Sequence, residues 1–374
     1  MKFGYILLDG CADRPAPSLN FTTPLEAANT PHLDALARRS KMGRVVTVGR
    51  GVAPESDIAV FNMLGYAFPK GYPGRGVVES VGAGVPFKDG DLALRANFAT
   101  TESGYITDRR AGRDLTKQEA LSLQEALGEV KLQGGEFEFK STVGYRAVKV
   151  QTRKPLEKTP GARRAAELVN EFLARATSVL DASPVNARRR KEGKKPANLL
   201  LLRDASDHLP SVVPFKERYG VKGVALVEMP AEVGIARLLG MKEILLKDHK
   251  DLAKKAESFK RELADGTLVY AHIKGPDEFG HDGDAIGKKR NIESIDSVFF
   301  GSISEKVGDA RVAVSCDHAT PCVLKSHSSD PVPLLVTSSQ RDADCCRFTE
   351  GDAKHGSLGN MKGAQVLSRA FSTV

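Results

Sequence analysis

An adjacent Asp-His pair, Asp317 and His318, follows an apolar run at residues 312–316, and a second histidine, His327, stands nine residues later. The run has the length and composition of a buried β-strand. Carboxylate and imidazole side chains in one segment are typical ligands of divalent transition metals. This stretch therefore predicts a metal-binding site at the end of a strand.

Two other apolar runs end in the same kinds of side chain. Residues 3–8 stop at Asp9, and residues 268–273 lead to Asp277 and His281. In open α/β sheets, ligands bind beyond the carboxyl ends of the strands. We therefore expect three segments that are distant in sequence to bring their acidic and imidazole side chains to one edge of a sheet.

The three segments supply six candidate metal ligands, namely Asp9, Asp277, His281, Asp317, His318 and His327. Six are too many for one catalytic ion that keeps an open position, but they suit two ions a few Å apart. We expect Mn²⁺ first, with Zn²⁺, Co²⁺, Fe²⁺ or Mg²⁺ compatible with the same donors. A single Asp after a strand is more often a turn or cap residue, so the joint pattern carries this prediction.

Ser56 is the candidate nucleophile. It follows a Gly- and Pro-rich approach and precedes an apolar helical segment that runs to Leu64, which predicts a position at a helix N-terminus. Free N–H groups and the helix dipole favour a phosphate dianion there. A serine in this place is most simply a helix cap, and its hydroxyl attacks only when a base or a metal activates it. Beside a dinuclear site, it predicts phosphoryl transfer.

These motifs resemble those of the cofactor-independent phosphoglycerate mutases of the archaeal type, within the alkaline phosphatase superfamily. The resemblance covers nearly the whole chain and is highly specific in its order. Besides the segments above, it is carried by Thr-Pro-His-Leu-Asp-Ala-Leu-Ala at 30–37, Glu-Ser-Asp at 55–57, Arg-Ala-Asn-Phe-Ala-Thr at 95–100, Asp-Arg-Arg-Ala-Gly-Arg at 108–113 and Asp-His-Ala-Thr-Pro-Cys at 317–322. It implies an α/β fold, an alkaline-phosphatase-like αβα sandwich with an inserted smaller α+β domain.

The resemblance also implies an activity and a role for each site residue. The activity is the interconversion of 3-phosphoglycerate and 2-phosphoglycerate through a phosphoserine intermediate, an isomerase reaction of glycolysis and gluconeogenesis. Ser56 becomes the phosphate acceptor. One ion is grouped with Asp9, Ser56, Asp317 and His318, and the other with Asp277, His281 and His327.

The same resemblance implies a set of substrate-binding residues in the insert: Arg95, Asn97, Arg109, Arg110, Arg113, Arg146 and Arg203. Guanidinium groups bind carboxylate and phosphate in bidentate fashion. The three arginines within residues 109–113 repel one another unless an anion or a carboxylate compensates their charge. Two departures from the family pattern stand out: Asp204 adds a carboxylate beside Arg203, and the Gly-rich segment after His355 lacks the family's basic residues.

Strand and helix signals divide the chain into two domains. We predict a discontinuous metal-binding catalytic domain at 1–71 and 208–374, and a substrate-binding insert at 72–207. Thr30 and Pro31 predict the start of a helix that gives a βαβ opening. Inside the insert, short strands at 93–98 and 145–150 accompany a helix that begins at the capping box of Thr116 and Glu119.

Composition bears on the kinds of partner that the protein can bind. The net charge of +8, the pI near 9.1 and a basic run at 188–195 are features that nucleic-acid-binding proteins also have. The run has no interleaved aromatic residues, so we interpret it as a solvated loop and expect no nucleic-acid partner. Five cysteines without CxxC spacing predict reduced thiols, with Cys11 and Cys316 as buried filler.

No apolar run approaches the roughly 20 residues of a membrane span. The chain passes from Met1 directly into an apolar strand, so we expect no membrane contact and a cytoplasmic location. The sequence leaves the oligomeric state open.

Two alternatives to the mutase remain at this level. A metal-dependent phosphomonoesterase or a phosphopentomutase would use the same ligands and serine, and only the Arg-rich insert favours a small, doubly anionic substrate. A basic nucleic-acid-binding or interaction module on a degenerate phosphatase fold is the alternative from another class. The presence of all six candidate ligands argues against that module.

Overall fold

The computed structural model describes residues 1–68, 71–142, 146–148, 160–246, 248, 250–338 and 343–372, with backbone alone for 146–148, 160–162 and 372. The strands are β1 (Lys2–Leu8), β2 (Ser40–Val46), β3 (Ala93–Glu102), β4 (Tyr105–Asp108), β5 (Lys140–Ser141), β6 (Arg146–Val148), β7 (Leu199–Ser206), β8 (Lys222–Val227), β9 (Lys242–Leu245), β10 (Thr267–Ile273), β11 (Arg311–Cys316), β12 (Val332–Thr337) and β13 (Gly359–Lys362).

The helices lie between these strands and after them. They are α1 (Pro24–Ala27), α2 (Pro31–Ala37), α3 (Ser56–Met63), α4 (Arg75–Gly82), α5 (Lys117–Leu127), α6 (Pro160–Asp181), α7 (Pro184–Lys191), α8 (Phe215–Tyr219), α9 (Pro230–Leu238), α10 (Leu252–Glu262), α11 (Pro276–Asp282), α12 (Ala285–Ser294), α13 (Gly301–Ile303), α14 (Glu350–His355) and α15 (Val366–Ser372). Within the described part of the chain, no helix is both long and apolar enough to cross a bilayer.

The described residues form two compact units. The first unit contains residues 1–70, 212–228 and 239–374, and the second contains 71–211 and 229–238. Apart from residue 71, which groups with the insert, these limits differ from the predicted domains in two places. Residues 208–211 group with the insert because Leu209 N donates to Asp89 Oδ1 at 2.8 Å.

The second difference is α9. It groups with the insert, although it lies within the predicted catalytic segment 208–374. It packs against α4 with the two backbones in direct approach. A Cβ on Gly82 would lie 1.7 Å from Pro230 O, and one on Gly234 would lie 1.9 Å from Val78 O. Only glycine permits this distance, and sequence periodicity gives no indication of the pairing.

The first unit is built on an eight-stranded sheet with the order β13-β2-β12-β11-β1-β10-β8-β9. Strand β12 runs antiparallel to both of its neighbours, and the other described pairings are parallel. The central strands β1, β10 and β11 are buried along almost their whole length. Strands buried on both faces are typical of a sheet covered by helices on each side, as the predicted αβα sandwich requires.

The opening of the chain follows the prediction with two modifications. Helix α2 begins at Pro31 after Thr30, but Thr30 makes no side-chain capping bond. Strand β2 is parallel to β1 through the sheet, yet β11 and β12 lie between them. The βαβ unit is therefore a wide crossover, which leaves room for β11 and β12 between β1 and β2.

The second unit combines a sheet of β4, β3, β6 and β5 with β7 paired to β3. Its core contains Phe98, Leu123, Phe172 and Leu180, all with no exposed surface. The predicted capping box is confirmed, because Thr116 and Glu119 exchange both of its hydrogen bonds at the start of α5. The insert thus has a core of its own, separate from the central sheet of the first unit.

Candidate functional site

The three strands that carry candidate ligands end side by side. Leu8 at the end of β1 pairs with Ile273 of β10 and with Cys316 of β11. Asp9 and Asp317 are therefore the first residues beyond two adjacent strand ends. Parallel alignment puts their side chains at one edge of the sheet, although more than 300 residues separate them in sequence.

Asp317 is oriented by the backbone around it. Its Oδ1 accepts hydrogen bonds from Gly10 N and His318 N, both at 3.0 Å. Its Oδ2 lies 3.3 Å from His318 Nε2. The two amides hold one oxygen, so the other faces the histidine.

Asp9 is held from one side in a similar way. Its Oδ2 pairs with Lys274 Nζ at 3.0 Å, and its Oδ1 lies 3.5 Å from His318 Nε2. This Oδ1 is buried and accepts no hydrogen bond from the described residues. A buried carboxylate oxygen without a donor is costly unless a cation compensates it, so the position fits a metal ligand.

Asp277 and His281 lie one turn apart on α11. The chain reaches this helix from β10 through Gly275 at φ 128°, and Pro276 occupies the first turn. His281 Nε2 lies 3.5 Å from Asp277 Oδ2, and His327 Nε2 lies 3.5 Å from Asp277 Oδ1. The carboxylate thus stands between two imidazoles.

The three candidate histidines share one hydrogen-bonding pattern. The Nδ1 atom of His281 contacts Lys325 O at 3.1 Å, and that of His327 contacts Pro54 O at 2.7 Å. His318 Nδ1 lies 3.0 Å from Thr320 Oγ1. A carbonyl only accepts, so Nδ1 carries the proton in His281 and His327. Each Nε2 then faces a carboxylate of the site, which is the orientation of metal-ligating histidines.

Ser56 lies next to these groups. It is the first residue of α3, with Glu55 at the N-cap position, so the residue is not the cap itself. Its Oγ is 3.0 Å from His318 Nε2. The edge of the sheet that carries the candidate ligands is called the ligand edge below. The Ser56 hydroxyl therefore lies beside both this ligand edge and the N–H groups at the start of a helix.

The ligand atoms form two close groups that share one histidine. Atoms of Asp9, Asp317 and His318 lie within 4.8 Å of one another, and so do atoms of Asp277, His318 and His327. The family pattern assigns His281 to the second group in place of His318. The structure puts His281 next to Asp277, with its ring centroid 5.1 Å from that of His327. His318 stacks on His327 with a centroid distance of 3.8 Å and so reaches both groups.

The carboxylates respond differently to burial at this edge. Burial raises the pKa of Asp9, while Lys274 partly opposes the change. Burial would also raise the pKa of Asp317, but His318, His272 and Lys274 together outweigh burial and lower that pKa. Carboxylates buried in this way favour a cationic neighbour.

His327 carries the complementary shift. Burial lowers its pKa, but the hydrogen bond to Asp277 and the charge of that carboxylate outweigh burial and raise the pKa of His327 to about 9. The same pair lowers the pKa of Asp277 against its own burial. The attraction between this pair shows how strongly the carboxylate favours a positive partner.

Three residues at this edge were absent from the predicted set, namely His272, Lys274 and Thr320. His272 Nε2 lies 3.2 Å from Asp317 Oδ2, and Lys274 contacts Asp9 as described above. Thr320 donates to Asp277 Oδ1 at 2.7 Å. Each one lies within a motif already noted, and its polar side chain at a strand end was the available signal.

In the second unit, the arginines meet carboxylates of the chain itself. Arg95 and Arg203 are cross-strand partners of β3 and β7. Arg95 is buried and lies 3.3 Å from Glu79 Oε1 and 3.5 Å from Asp204 Oδ2. Arg203 Nε lies 3.8 Å from the same Asp204 oxygen. Asp204 therefore compensates part of the charge of both arginines.

Asp204 also has an unusual backbone conformation, with a φ of 56°. Left-handed conformations favour glycine, so an aspartate here has a backbone shape that L side chains rarely adopt. The backbone of β7 thus keeps the shape suited to glycine while the side chain adds a negative charge. This explains geometrically how the departure noted in the sequence is accommodated.

The segment 108–113 surrounds a cleft of about 380 Å³ that Arg109, Arg110 and Arg113 help to line. Residues 111, 112 and 113 have φ values of 46°, 78° and 62°, so the backbone makes a tight left-handed turn. Strained backbone of this kind tends to occur at ligand sites. The turn directs several guanidinium groups around one opening.

The basic run at 188–195 is not a solvated loop. Residues 184–191 form α7, and Arg189 is completely buried. Its guanidinium donates to Ala111 O at 3.2 Å and pairs with Glu119 and Asp114. Through Arg189, the run therefore supports the backbone of the Arg-rich turn at 108–113. The polar composition of the run does not indicate that this arginine is buried.

Two further predicted residues lie on neighbouring strands. Asn97 of β3 is half-buried, and its Oδ1 has no hydrogen bond among the described residues. Arg146 pairs with Asn97 in the backbone register, but its side chain lies outside the described residues. His355 is exposed and is the last residue of helix α14.

Comparisons with known proteins point in one direction. A family model described as 2,3-bisphosphoglycerate-independent phosphoglycerate mutase matches residues 37–186. A curated protein of that name from Aeropyrum pernix is 38% identical over 100% of this chain and 99% of its own length. One from Methanopyrus kandleri is 38% identical over 98% of this chain and 95% of its own length.

Solved structures agree with these sequences. A protein from Pyrococcus horikoshii matches with a TM-score of 0.88 at 31% identity, covering 100% of this chain and 97% of that one. The cofactor-independent phosphoglycerate mutase from Thermoplasma acidophilum matches with a TM-score of 0.64 at 31% identity, covering 99% of each. The similarity thus includes both the central sheet and the insert.

Proposed function

The chain belongs to the family of 2,3-bisphosphoglycerate-independent phosphoglycerate mutases, and we propose that it interconverts 3-phosphoglycerate and 2-phosphoglycerate through a phosphoserine on Ser56. The enzyme is an isomerase, and its substrate is a small molecule of glycolysis and gluconeogenesis. We further propose a cytoplasmic location and no nucleic-acid ligand. The activity follows from the family, whereas the role of each residue is argued below.

The position of Ser56 Oγ is the observation that best supports this proposal. It lies 3.0 Å from His318 Nε2 and at the start of α3. A phosphate on this oxygen meets the free N–H groups of the helix and the ligand edge of the sheet.

We propose that two divalent ions bind at the ligand edge, with Mn²⁺ first and Zn²⁺, Co²⁺ or Mg²⁺ as alternatives. Asp9, Ser56, Asp317 and His318 would hold one ion. Asp277, His281 and His327 would hold the other, and His318 is close enough to assist. When bound, the ions lower the pKa of the serine hydroxyl and neutralise the phosphoryl oxygens.

The reaction then consists of two transfers in opposite directions. In the first, Ser56 Oγ forms a bond to phosphorus while the bond from phosphorus to the 3-oxygen of the substrate breaks. The proton lost by Ser56 is regained on that oxygen, which leaves glycerate and phosphoserine. In the second, the 2-hydroxyl of glycerate takes the phosphoryl group, and Ser56 recovers its proton.

Glycerate must remain bound while it turns, and we assign this task to the arginines. Arg109, Arg110 and Arg113 are proposed to bind the carboxylate. Their cleft, of about 380 Å³, is in the range of small-molecule sites. Arg95, Asn97, Arg146 and Arg203 are proposed as further contacts, with Asp204 limiting the charge that Arg95 and Arg203 offer.

A direct test measures 2-phosphoglycerate and inorganic phosphate in parallel, with purified protein, 3-phosphoglycerate and each divalent metal in turn. Formation of 2-phosphoglycerate in excess over phosphate supports the mutase. Release of phosphate alone would replace it with the phosphomonoesterase alternative. Elemental analysis of protein purified without added metal identifies the native ion.

A further inference from the structure

Thr320 lies between the two groups of candidate ligands. Its side chain is completely buried. Its Oγ1 is 2.7 Å from Asp277 Oδ1 and 3.0 Å from His318 Nδ1. One hydroxyl therefore contacts a carboxylate of one group and the histidine that reaches both.

The hydroxyl has one proton, and its partners decide where that proton points. The Asp277 carboxylate accepts the hydrogen bond that Thr320 donates. The contact with His318 must then run the other way, with Nδ1–H donating to Oγ1. Nε2 of His318 is left with its lone pair, directed at Ser56 Oγ at 3.0 Å.

The main chain of Thr320 is fixed as firmly as its hydroxyl. Its N–H donates to Ala12 O at 3.1 Å, and its carbonyl accepts from Lys288 Nζ at 3.0 Å. Lys288 is itself completely buried and pairs with Asp13 at 2.7 Å. A Cβ on Gly280 would lie 2.4 Å from Thr320 O, so the helix α11 packs directly against this carbonyl. The hydroxyl therefore has little freedom to choose other partners.

We propose that Thr320 is a positioning residue that fixes the Nδ1–H tautomer of His318 and orients Asp277, thereby coupling the two ligand groups. In His281 and His327, backbone carbonyls hold the proton on Nδ1. In His318 the partner of Nδ1 is a side chain. Among these three histidines, His318 is therefore the one whose Nδ1 partner a substitution can remove. The coupling rests on the proposed metal site, whereas the tautomer does not.

The tautomer can be measured in the unmodified protein. In metal-free protein with ¹⁵N-labelled histidine at neutral pH, long-range ¹H–¹⁵N spectra distinguish a protonated Nδ1 from a protonated Nε2. The His318→Gln variant assigns the signal by its disappearance. We expect Nδ1–H for His318, and an Nε2–H tautomer overturns the proposal whether or not a Thr320 variant folds.

The coupling is tested by titrating Mn²⁺ into the metal-free wild type, Thr320→Val and Thr320→Ser. Valine has a similar shape without the hydroxyl, and serine keeps the hydroxyl. We expect Thr320→Val to weaken both binding steps about 10- to 100-fold, as is usual when the partner of a ligating side chain is lost. Thr320→Ser should remain within about threefold of wild type, a margin well below the loss of one such partner.

Thr100→Val is the matched control. Thr100 is also completely buried and donates a 2.7 Å hydrogen bond, but it lies in the second unit and bonds to Pro196 O. Its Mn²⁺ affinity should equal that of the wild type. Equal affinity in Thr320→Val overturns the coupling. Absence of Mn²⁺ binding by the wild type would instead contradict the proposed metal site, and the tautomer measurement then decides the remaining part.

Discussion

The ligand edge of the first unit and the arginines of the second unit differ in how their charges are compensated. At the edge, Asp9 keeps one buried oxygen without a hydrogen-bond donor among the described residues. In the second unit, Arg95 and Arg203 already share Asp204. The edge therefore has charge available for a ligand, whereas part of the arginine charge is neutralised within the chain.

The difference arises from the elements that carry the residues. Asp9 and Asp317 follow strands whose register the sheet imposes. The arginines at 109–113 lie on a turn whose shape depends on a buried arginine from another helix. Side chains at strand ends are placed by the fold itself, whereas side chains on loops need additional support. We expect substitutions in the first unit to abolish the chemistry and those in the second to change its selectivity.

The largest effect is expected for Ser56→Ala. Loss of the proposed nucleophile should reduce both 2-phosphoglycerate formation and phosphate release by several orders of magnitude, because both require the phosphoserine. Ser304→Ala, at an exposed serine, is the control. Parallel measurement of bound metal and circular dichroism checks that the site persists. Activity within tenfold of wild type would exclude the role of Ser56.

The next largest effect is expected for His318 and His281, which differ in how many groups of candidate ligands they reach. His318→Ala should weaken the binding of both ions, because His318 reaches both ligand groups. His281→Ala should weaken the binding of one ion. Metal content after dialysis, with exposed His32→Ala as the control, measures the difference. An equal loss of one ion in each variant would show that His318 belongs to a single ligand group. Full activity in the presence of a strong chelator would contradict metal dependence altogether.

Arg110→Ala should affect selectivity more than chemistry. One lost charge-assisted contact to the glycerate carboxylate costs about 1.5–3 kcal/mol, or roughly ten- to a hundredfold in the mutase rate. Phosphate release should persist or rise relative to 2-phosphoglycerate, because water can reach the phosphoserine once glycerate escapes. Exposed Arg163→Ala on α6 is the control. A parallel fall of both products would place Arg110 in the chemical step instead.

The smallest effect is expected at Asp204, and it tests the charge compensation directly. Asp204→Asn removes the charge and Asp204→Gly also removes the left-handed strain. Both variants should lower the KM for 3-phosphoglycerate a few-fold, since one anionic competitor for the arginines is gone. Asp204→Gly should in addition unfold at a higher temperature than Asp204→Asn, by about 1 kcal/mol in free energy. An unchanged KM in both would show that Arg95 and Arg203 do not bind the substrate.

The sequence predicted that these candidate ligands lie together at one edge of the sheet, because its signals are local. An apolar run that stops at Asp9 or at Asp317 gives both the strand and the position of the carboxylate beyond it. The parallel register then brings them together without further information. Helical spacing likewise predicted Asp277 and His281 on one helix.

The features that the sequence did not predict depend on tertiary contacts. Burial of Arg189 inside a basic run follows from Glu119 and Asp114, which lie about 70 residues away. The grouping of α9 with the insert depends on glycines in two distant helices. The role of Thr320 depends on which proton acceptor lies beside it. None of these contacts leaves a periodic pattern in the chain.

The sheet order has a consequence for synthesis. Strand β1 is synthesised well before its neighbours β10 and β11, which begin at Thr267 and Arg311. At about 5–20 residues per second, β1 waits roughly 10–50 s for its first partner. During that time an apolar strand has two unpaired edges, a condition that favours aggregation. A nascent chain that ends before Arg311 can therefore complete the core of the insert, while Asp9 still lacks the neighbouring strand that carries Asp317.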